Sequence, residues 1–200
     1  MLRRFLALAL LVVAMGSTSL TVAGPLEDGV TAIRRDDYAT ALRLLRPLAE
    51  QGDARAQYHL GALYDFGQGV PLDYAQAAFW YRMAAEQGDA WAQLNLGVLY
   101  DRGHGVPQDY AQAVAWYRKS AEQGDAWAQN NLGVMYENGH GVPQDYVQAH
   151  MWINLAASRE TDLNRRNTWV KARDTLAAKM TREQIAEAQR RAREWKPRGK

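Results

Sequence analysis

The chain has 200 residues, of which 24 are Lys or Arg and 22 Asp or Glu; 48% are hydrophobic, 23% charged and none is cysteine. This mix excludes wholesale disorder, and the lack of cysteine excludes disulfides, thiolate catalysis, Fe–S clusters and Cys-ligated zinc. The formal charge of +2 equals the contribution of Arg3 and Arg4, so the rest is balanced and carries no cationic excess for nucleic acid.

The first element is a leader. Met1–Arg4 is short and cationic, Phe5 to Met15 is apolar, and small residues follow as far as Thr21–Val22–Ala23. A charged start, an apolar run and a small-residue cleavage site describe a secretory signal peptide over 1–23. The apolar run falls short of the about 20 residues that span a bilayer. Cleavage after Ala23 is expected, leaving an exported, periplasmic or secreted chain with no transmembrane segment in its mature part.

A shortened helical unit is expected over 24–53. Three gapless copies of a 36-residue unit then follow, at 54–89, 90–125 and 126–161; the first two share 25 positions and the last two share 21. Such internal repetition is the signature of a solenoid. Asp53, Asp89 and Asp125 stand where an N-cap belongs. Behind Asp53, Ala56, Leu60, Leu63 and Tyr64 recur at helical spacing as one apolar stripe. Gly61, with Gly97 and Gly133, removes bulk where a partner helix crosses, and Gly67 ends the helix in a left-handed cap. Gly69–Val70–Pro71 turns the chain, and Asp73 opens a second helix whose core side is Ala77, Trp80, Tyr81 and Ala84, with Gln76 in capping-box position. Such a hairpin cannot bury its apolar face alone, so stability lies in the stacking. Over 162–200 the pattern decays into a helical capping unit with a basic tail. There Thr181–Gln184 reads as a capping box, and Ile185, Ala188, Ala192 and Trp195 form a single apolar face.

The string Leu96–Gly97, Leu99–Tyr100, Gly103, Gly105–Val106–Pro107, Asp109–Tyr110, Ala113, Trp116–Tyr117 and Ala121–Asp125 closely resembles the Sel1-like repeat. That is a tetratricopeptide-like hairpin with a longer inter-helix loop. The resemblance implies an all-α, right-handed α-solenoid acting as a scaffold or adaptor. Some exported relatives are cysteine-rich, disulfide-bonded and linked to β-lactam binding; this chain departs from them in lacking every cysteine.

Chemistry-bearing motifs are scarce. Ser120 and Ser158 open no nucleophile motif and read as capping or solvent-facing residues. His104 and His140 occupy one repeat position and read as solvated loop histidines about one helix spacing apart, too far to share a metal. His59 and His150 stand alone, and Asp36–Asp37 reads as a turn plus N-cap. No catalytic residue, metal or cofactor is expected.

The units differ most at Arg55/Trp91/Trp127, Tyr58/Leu94/Asn130, His59/Asn95/Asn131, Ala62/Val98/Val134 and Phe66/Arg102/Asn138. Offsets 55, 59, 62 and 66 share one helical face opposite the core stripe, and the resemblance implies that the first helix of each unit lines the concave side. The expected partner groove is therefore Trp91, Leu94, Asn95, Val98, Arg102, Trp127, Asn130, Asn131, Val134 and Asn138. Exposed aromatics among Asn and Arg suit a protein or peptide partner of the cell envelope; a glycan stacked on Trp91 and Trp127 is the alternative. Residues 24–157 carry nine basic and sixteen acidic side chains, and residues 158–200 thirteen and six. The basic tail, with Arg190, Arg191, Arg193, Lys196, Arg198 and Lys200, is thus expected either on the acidic array or on an anionic envelope surface.

Overall fold

A computed structural model describes residues 24–198. The leader expected over 1–23 and Lys200 of the tail lie outside the described residues. Within them the regular elements are ten helices: α1 (Pro25–Arg34), α2 (Tyr38–Glu50), α3 (Ala54–Phe66), α4 (Tyr74–Glu86), α5 (Ala90–Arg102), α6 (Tyr110–Glu122), α7 (Ala126–Asn138), α8 (Tyr146–Arg159), α9 (Leu163–Ala177) and α10 (Arg182–Glu194). Helices consecutive in the chain pack on one another from α1 to α9, as an α-solenoid requires.

Each hairpin forms for local reasons. The carboxylates of Asp53, Asp89 and Asp125 accept the N–H of Ala56, Ala92 and Ala128 at 2.8, 2.8 and 2.7 Å. Asp73, Asp109 and Asp145 cap the second helices in the same way. At Asp73 the bonds come from the N–H groups of Ala75 and Gln76, without the side-chain return that would complete a box. Gly67 closes α3 at φ 63°, a conformation that disfavours any side chain. A Cβ placed on Gly61 or Gly97 would stand 2.7 Å from the ring of Tyr81 or Tyr117, well inside carbon–carbon contact distance. The glycine therefore lets the partner helix cross at close range, as its recurrence predicts.

Three ladders join one hairpin to the next. Arg46, Arg82 and Arg118 donate to the hydroxyls of Tyr64, Tyr100 and Tyr136 in the following hairpin, at 3.1, 2.6 and 2.7 Å. The buried amides of Gln57, Gln93 and Gln129 donate to Ala49 O, Ala85 O and Ala121 O across each joint. Within each hairpin, Gln87 and Gln123 then donate to the Oε1 atoms of Gln57 and Gln93 at 2.8 and 2.9 Å, holding those amides in place. Finally, the loops of the second and third repeats press Gly105 and Gly141 against the backbone of Tyr74 and Tyr110 in the preceding unit. His104 and His140 stack on those tyrosine rings at 4.6 and 4.7 Å between centroids. His140 is exposed, as expected of a solvated loop residue, and His104 half-buried, but both also serve the joint through this stacking. Ser120 is buried, its hydroxyl donating to Ala90 O at 2.8 Å, which replaces the capping or solvent-facing role expected of it. Ser158 instead bonds locally to Leu155 O.

The C-terminal unit breaks the pattern. Helix α9 packs on α8 in the usual way, but α10 leaves α9 and lies along α8. Thr181 and Gln184 form the capping box expected of them. Ala188 and Ala192 are buried in one cluster with Met151, Trp152 and Leu155, and Trp195 meets Trp152 edge-on at 6.1 Å. Arg159 stands where Gln87 and Gln123 stand in the earlier units; its guanidinium lies 4.5 Å from the Trp195 ring centroid. The amide ladder ends there, leaving Gln129 Oε1 buried without a partner. The tail then turns back on the array: Arg198 N–H donates to Glu122 O at 2.8 Å and its guanidinium pairs with the Glu122 carboxylate at 2.8 Å. Arg190 and Arg191 are held within α10 by Glu187 and Glu194.

Candidate docking wall

The candidate wall is built from α3, α5 and α7, whose core stripes (Leu60, Leu96, Leu132) are wholly buried and fix the opposite faces toward solvent. Trp91, on the first turn of α5, is 57% exposed. Its ring lies 6.5 Å from that of Tyr58 in the preceding hairpin. Arg55, Tyr58, His59, Asp89 and Trp91 enclose an open pocket of about 310 Å³. Burial, and next the nearby Arg55 charge, hold the His59 imidazole below its usual pKa, while burial pushes the Tyr58 hydroxyl up. At neutral pH the pocket thus offers a neutral imidazole able both to donate and to accept, a phenol, a guanidinium and a carboxylate around one flat ring. A second hollow of about 550 Å³ follows the edge where hairpins join, sharing Arg55 and Asp89 and reaching Lys119 and Arg198.

The other expected wall residues divide. Asn95, Val98, Asn130 and Asn131 are half-buried, while Arg102, Val134 and Asn138 are exposed. The Asn95 amide stands beside the Tyr58 and Tyr81 hydroxyls and Asn131 beside that of Tyr117. These two asparagines therefore also serve the buried tyrosines, which donate to Asp65 and Asp101 at 3.1 and 3.3 Å. Leu94 does not belong to the wall: it is only 8% exposed and joins the core between α5 and α7. Its variation between units records a changing neighbour rather than open solvent. Trp127 is exposed at its rim, but Trp169 of α9 packs edge-on to it at 5.4 Å and the Arg165 guanidinium lies 4.9 Å from its ring centroid. The two tryptophans are not equivalent platforms.

Sequence reasoning missed Tyr58, His59, Arg55 and Asp89 as pocket members. The first three stood at the variable offsets that gave Trp91, Leu94 and Asn95, and that signal was enough to find them; Asp89 was read only as a cap. His150 is buried, with Nδ1 unbonded and its pKa lowered by burial and by the Arg173 charge. Asp37 caps α2 through Thr40 N–H and Asp36 takes the turn at φ 58°, as read from the sequence. Among the described residues no helix is long and apolar enough to cross a membrane.

Stacked hairpins with a continuous side-chain wall define the class of helical-repeat scaffolds. The Sel1 repeat family matches residues 24–53, 54–89, 92–125 and 128–160. The chain is 37% identical to a Sel1 repeat protein from Oxalobacter formigenes, covering 72% of this chain and 57% of that one with a TM-score of 0.67. It is 29% identical to c5321, a protective antigen of uropathogenic Escherichia coli strains with an SLR fold, covering 86% of this chain and 44% of that one with a TM-score of 0.59. It therefore spans less than two thirds of the length of either. A comparison with curated proteins gives no match. The chain belongs to the Sel1 repeat family, whose members are generally protein-interaction scaffolds rather than enzymes.

Proposed function

We propose that the protein is an exported, non-enzymatic adaptor of the cell envelope that holds a protein or peptide segment against the α3–α5–α7 wall. The observation that carries this reading is Trp91, a large ring left 57% exposed at the mouth of a pocket furnished with charge and hydrogen-bonding groups. An exposed aromatic ringed by polar side chains is the arrangement found at binding hot spots. Asn95, Val98, Arg102, Asn130, Asn131, Val134 and Asn138 continue the wall from that anchor, with Leu94 withdrawn into the core. The leader over 1–23 and its cationic, then apolar, then small-residue order support export.

The glycan alternative rested on two tryptophans acting as paired stacking platforms. The Trp127 ring is engaged by Arg165 and Trp169, so a sugar would have Trp91 alone. The test is a photoreactive amino acid at position 91, crosslinking in intact envelopes, and mass spectrometry of what is captured. A defined protein is expected, and Trp91→Ala is expected to weaken its binding by more than about 2 kcal/mol. Soluble glycans that shift tryptophan fluorescence, with no protein captured, would replace the adaptor reading.

A further inference from the structure

The outward faces of the second helices carry a feature that the candidate wall does not explain. Counting by the 36-residue register, the outermost stripe is Ala75, Phe79 and Met83 in α4, Ala111, Ala115 and Lys119 in α6, and Val147, Met151 and Leu155 in α8. In α8 this stripe is covered. Met151 and Leu155 are 7% and 5% exposed because α10 lies on them with its small residues Ala188 and Ala192, while Trp195 meets Trp152. In α6 the stripe needs no cover: two alanines and a lysine face solvent, and Lys119 Nζ stands 3.9 Å from the Trp116 ring centroid, shielding that ring from its own helix.

Helix α4 has the apolar stripe of α8 without its cover. Phe79 is 51% exposed and Met83 39%. Phe79 meets Trp80 edge-on at 4.9 Å, and Trp80 stays half-buried where Trp116 and Trp152 are buried. The loop entering α4 shows the same bias. Gln108 and Gln144 donate to the carbonyls of Asp101 and Glu137, whereas the first repeat has the exposed Leu72 at that place.

We propose that the outward face of α4 is a second docking site, separate from the candidate wall, for an amphipathic helix of another protein that presents a seam of small residues ending in a bulky aromatic. The α10–α8 pairing sets that chemistry, because within this chain the same register, with the same Trp and the same large apolar pair, is filled by Ala188, Ala192 and Trp195. The occupant is not α10 of a second copy. That helix is already seated, and moving it would uncover Met151 and Leu155 as it covered Phe79 and Met83.

The test uses the full chain and a helix-stapled peptide of residues 181–198 as probe, with the staple on its solvent side. A photoreactive residue is placed at position 79 and, in a separate protein, at position 115. Saturable one-to-one binding with crosslinking at 79 and not at 115 is expected. Phe79→Ala combined with Met83→Lys, which copies the α6 stripe, is expected to weaken binding at least tenfold with an unchanged melting midpoint. No saturable binding, crosslinking at 115 as readily as at 79, or equal binding by the double variant would overturn the proposal. So would concentration-dependent dimerisation abolished by the double variant, which would assign the face to self-association. Because Trp91 belongs to α5 and not to the α4 stripe, a Trp91→Ala protein that still binds the peptide separates this site from the adaptor reading.

Discussion

The interior joints and the C-terminal joint of this solenoid are held by different physics. Between α4 and α5, or α6 and α7, contact rests on features copied from joint to joint: Arg–Tyr and Gln-to-carbonyl bonds, and loop glycines laid against a neighbour's backbone. Between α8, α9 and α10 the joint adds charge and rings that occur only once to the apolar seam of Ala188 and Ala192. Arg165 pairs with Glu160 at 2.7 Å, Lys179 reaches back to Glu137 of α7 at 3.0 Å, and Arg159 lies under Trp195. A joint that must be copied along an array is satisfied by the same residues in fixed register. A joint that ends the array must bury what the next hairpin would have covered, and an unrepeated helix such as α10 does that without having to be followed by another copy.

The sharpest way to break this distinction is at a glycine. In Gly141→Ala the new Cβ would run into the Tyr110 carbonyl, at a φ of 70° that L-residues resist. Backbone strain and overpacking together predict a loss of about 3 kcal/mol or more, read by urea unfolding. The matching change at the end of the array is Ala188→Arg, which puts a charged side chain into the seam against α8. Detaching α10 exposes Met151 and Leu155, at about 1.5–3 kcal/mol for each side chain fully uncovered. Hydrogen exchange is expected to quicken in α10 while α3 to α6 keep their protection. Uniform loss of protection along the chain would mean that the two joints are one cooperative unit.

How much of this was written in the sequence follows the same division. The repeated features that shape a single hairpin were legible: the Asp caps, the left-handed Gly67 and the crossing Gly61 all recur because each copy needs them; the repeated Arg–Tyr and Gln bonds between hairpins were not. Nor were contacts between a repeated element and an unrepeated one. Trp127 looks like Trp91 in the register, yet Arg165 and Trp169 come from α9, which has no counterpart in the array. Thr181 falls one period after Asp145 and so suggests a hairpin partner for α9, but the Gly-Val-Pro loop that sets hairpin geometry is missing before it, and α10 settles on α8. Leu94 and His104 were misread for a shared reason. Variation, or a place in a loop, does not tell solvent from a contact with the adjoining unit.

Acid separates the two regions by their titrating groups. His59 and His150 both have folded-state pKa values depressed by burial below the ordinary 6.5. The folded state then favours the neutral rings, so their contribution is present above about pH 6.5 and is lost as pH falls through the lowered values. The slope is at most about 1.4 kcal/mol per pH unit for each proton taken up. His150→Gln is expected to flatten the fall in stability between pH 7 and 5. Glu160 acts later: hydrogen bonds from Arg165 and from Asp162 N–H hold it down to about 2 from 4.5, so its share is lost only as pH drops across that range. Loss of α9 protection in that lower window, with the array still protected, would locate the effect at the C-terminal joint.

The smallest effect is expected at Trp91, and its smallness carries information. Trp152 is a tryptophan sealed beneath α10, and truncating a buried ring of that kind costs about 3–5 kcal/mol. Trp91 meets the Tyr58 ring at a tilt and is left 57% exposed. Trp91→Ala should therefore shift unfolding by no more than about 0.5 kcal/mol. A shift approaching that of Trp152→Ala would place Trp91 among the residues that hold α3 to α5, and the pocket it shares with Arg55 and His59 would then be a seam between hairpins rather than a mouth for a partner.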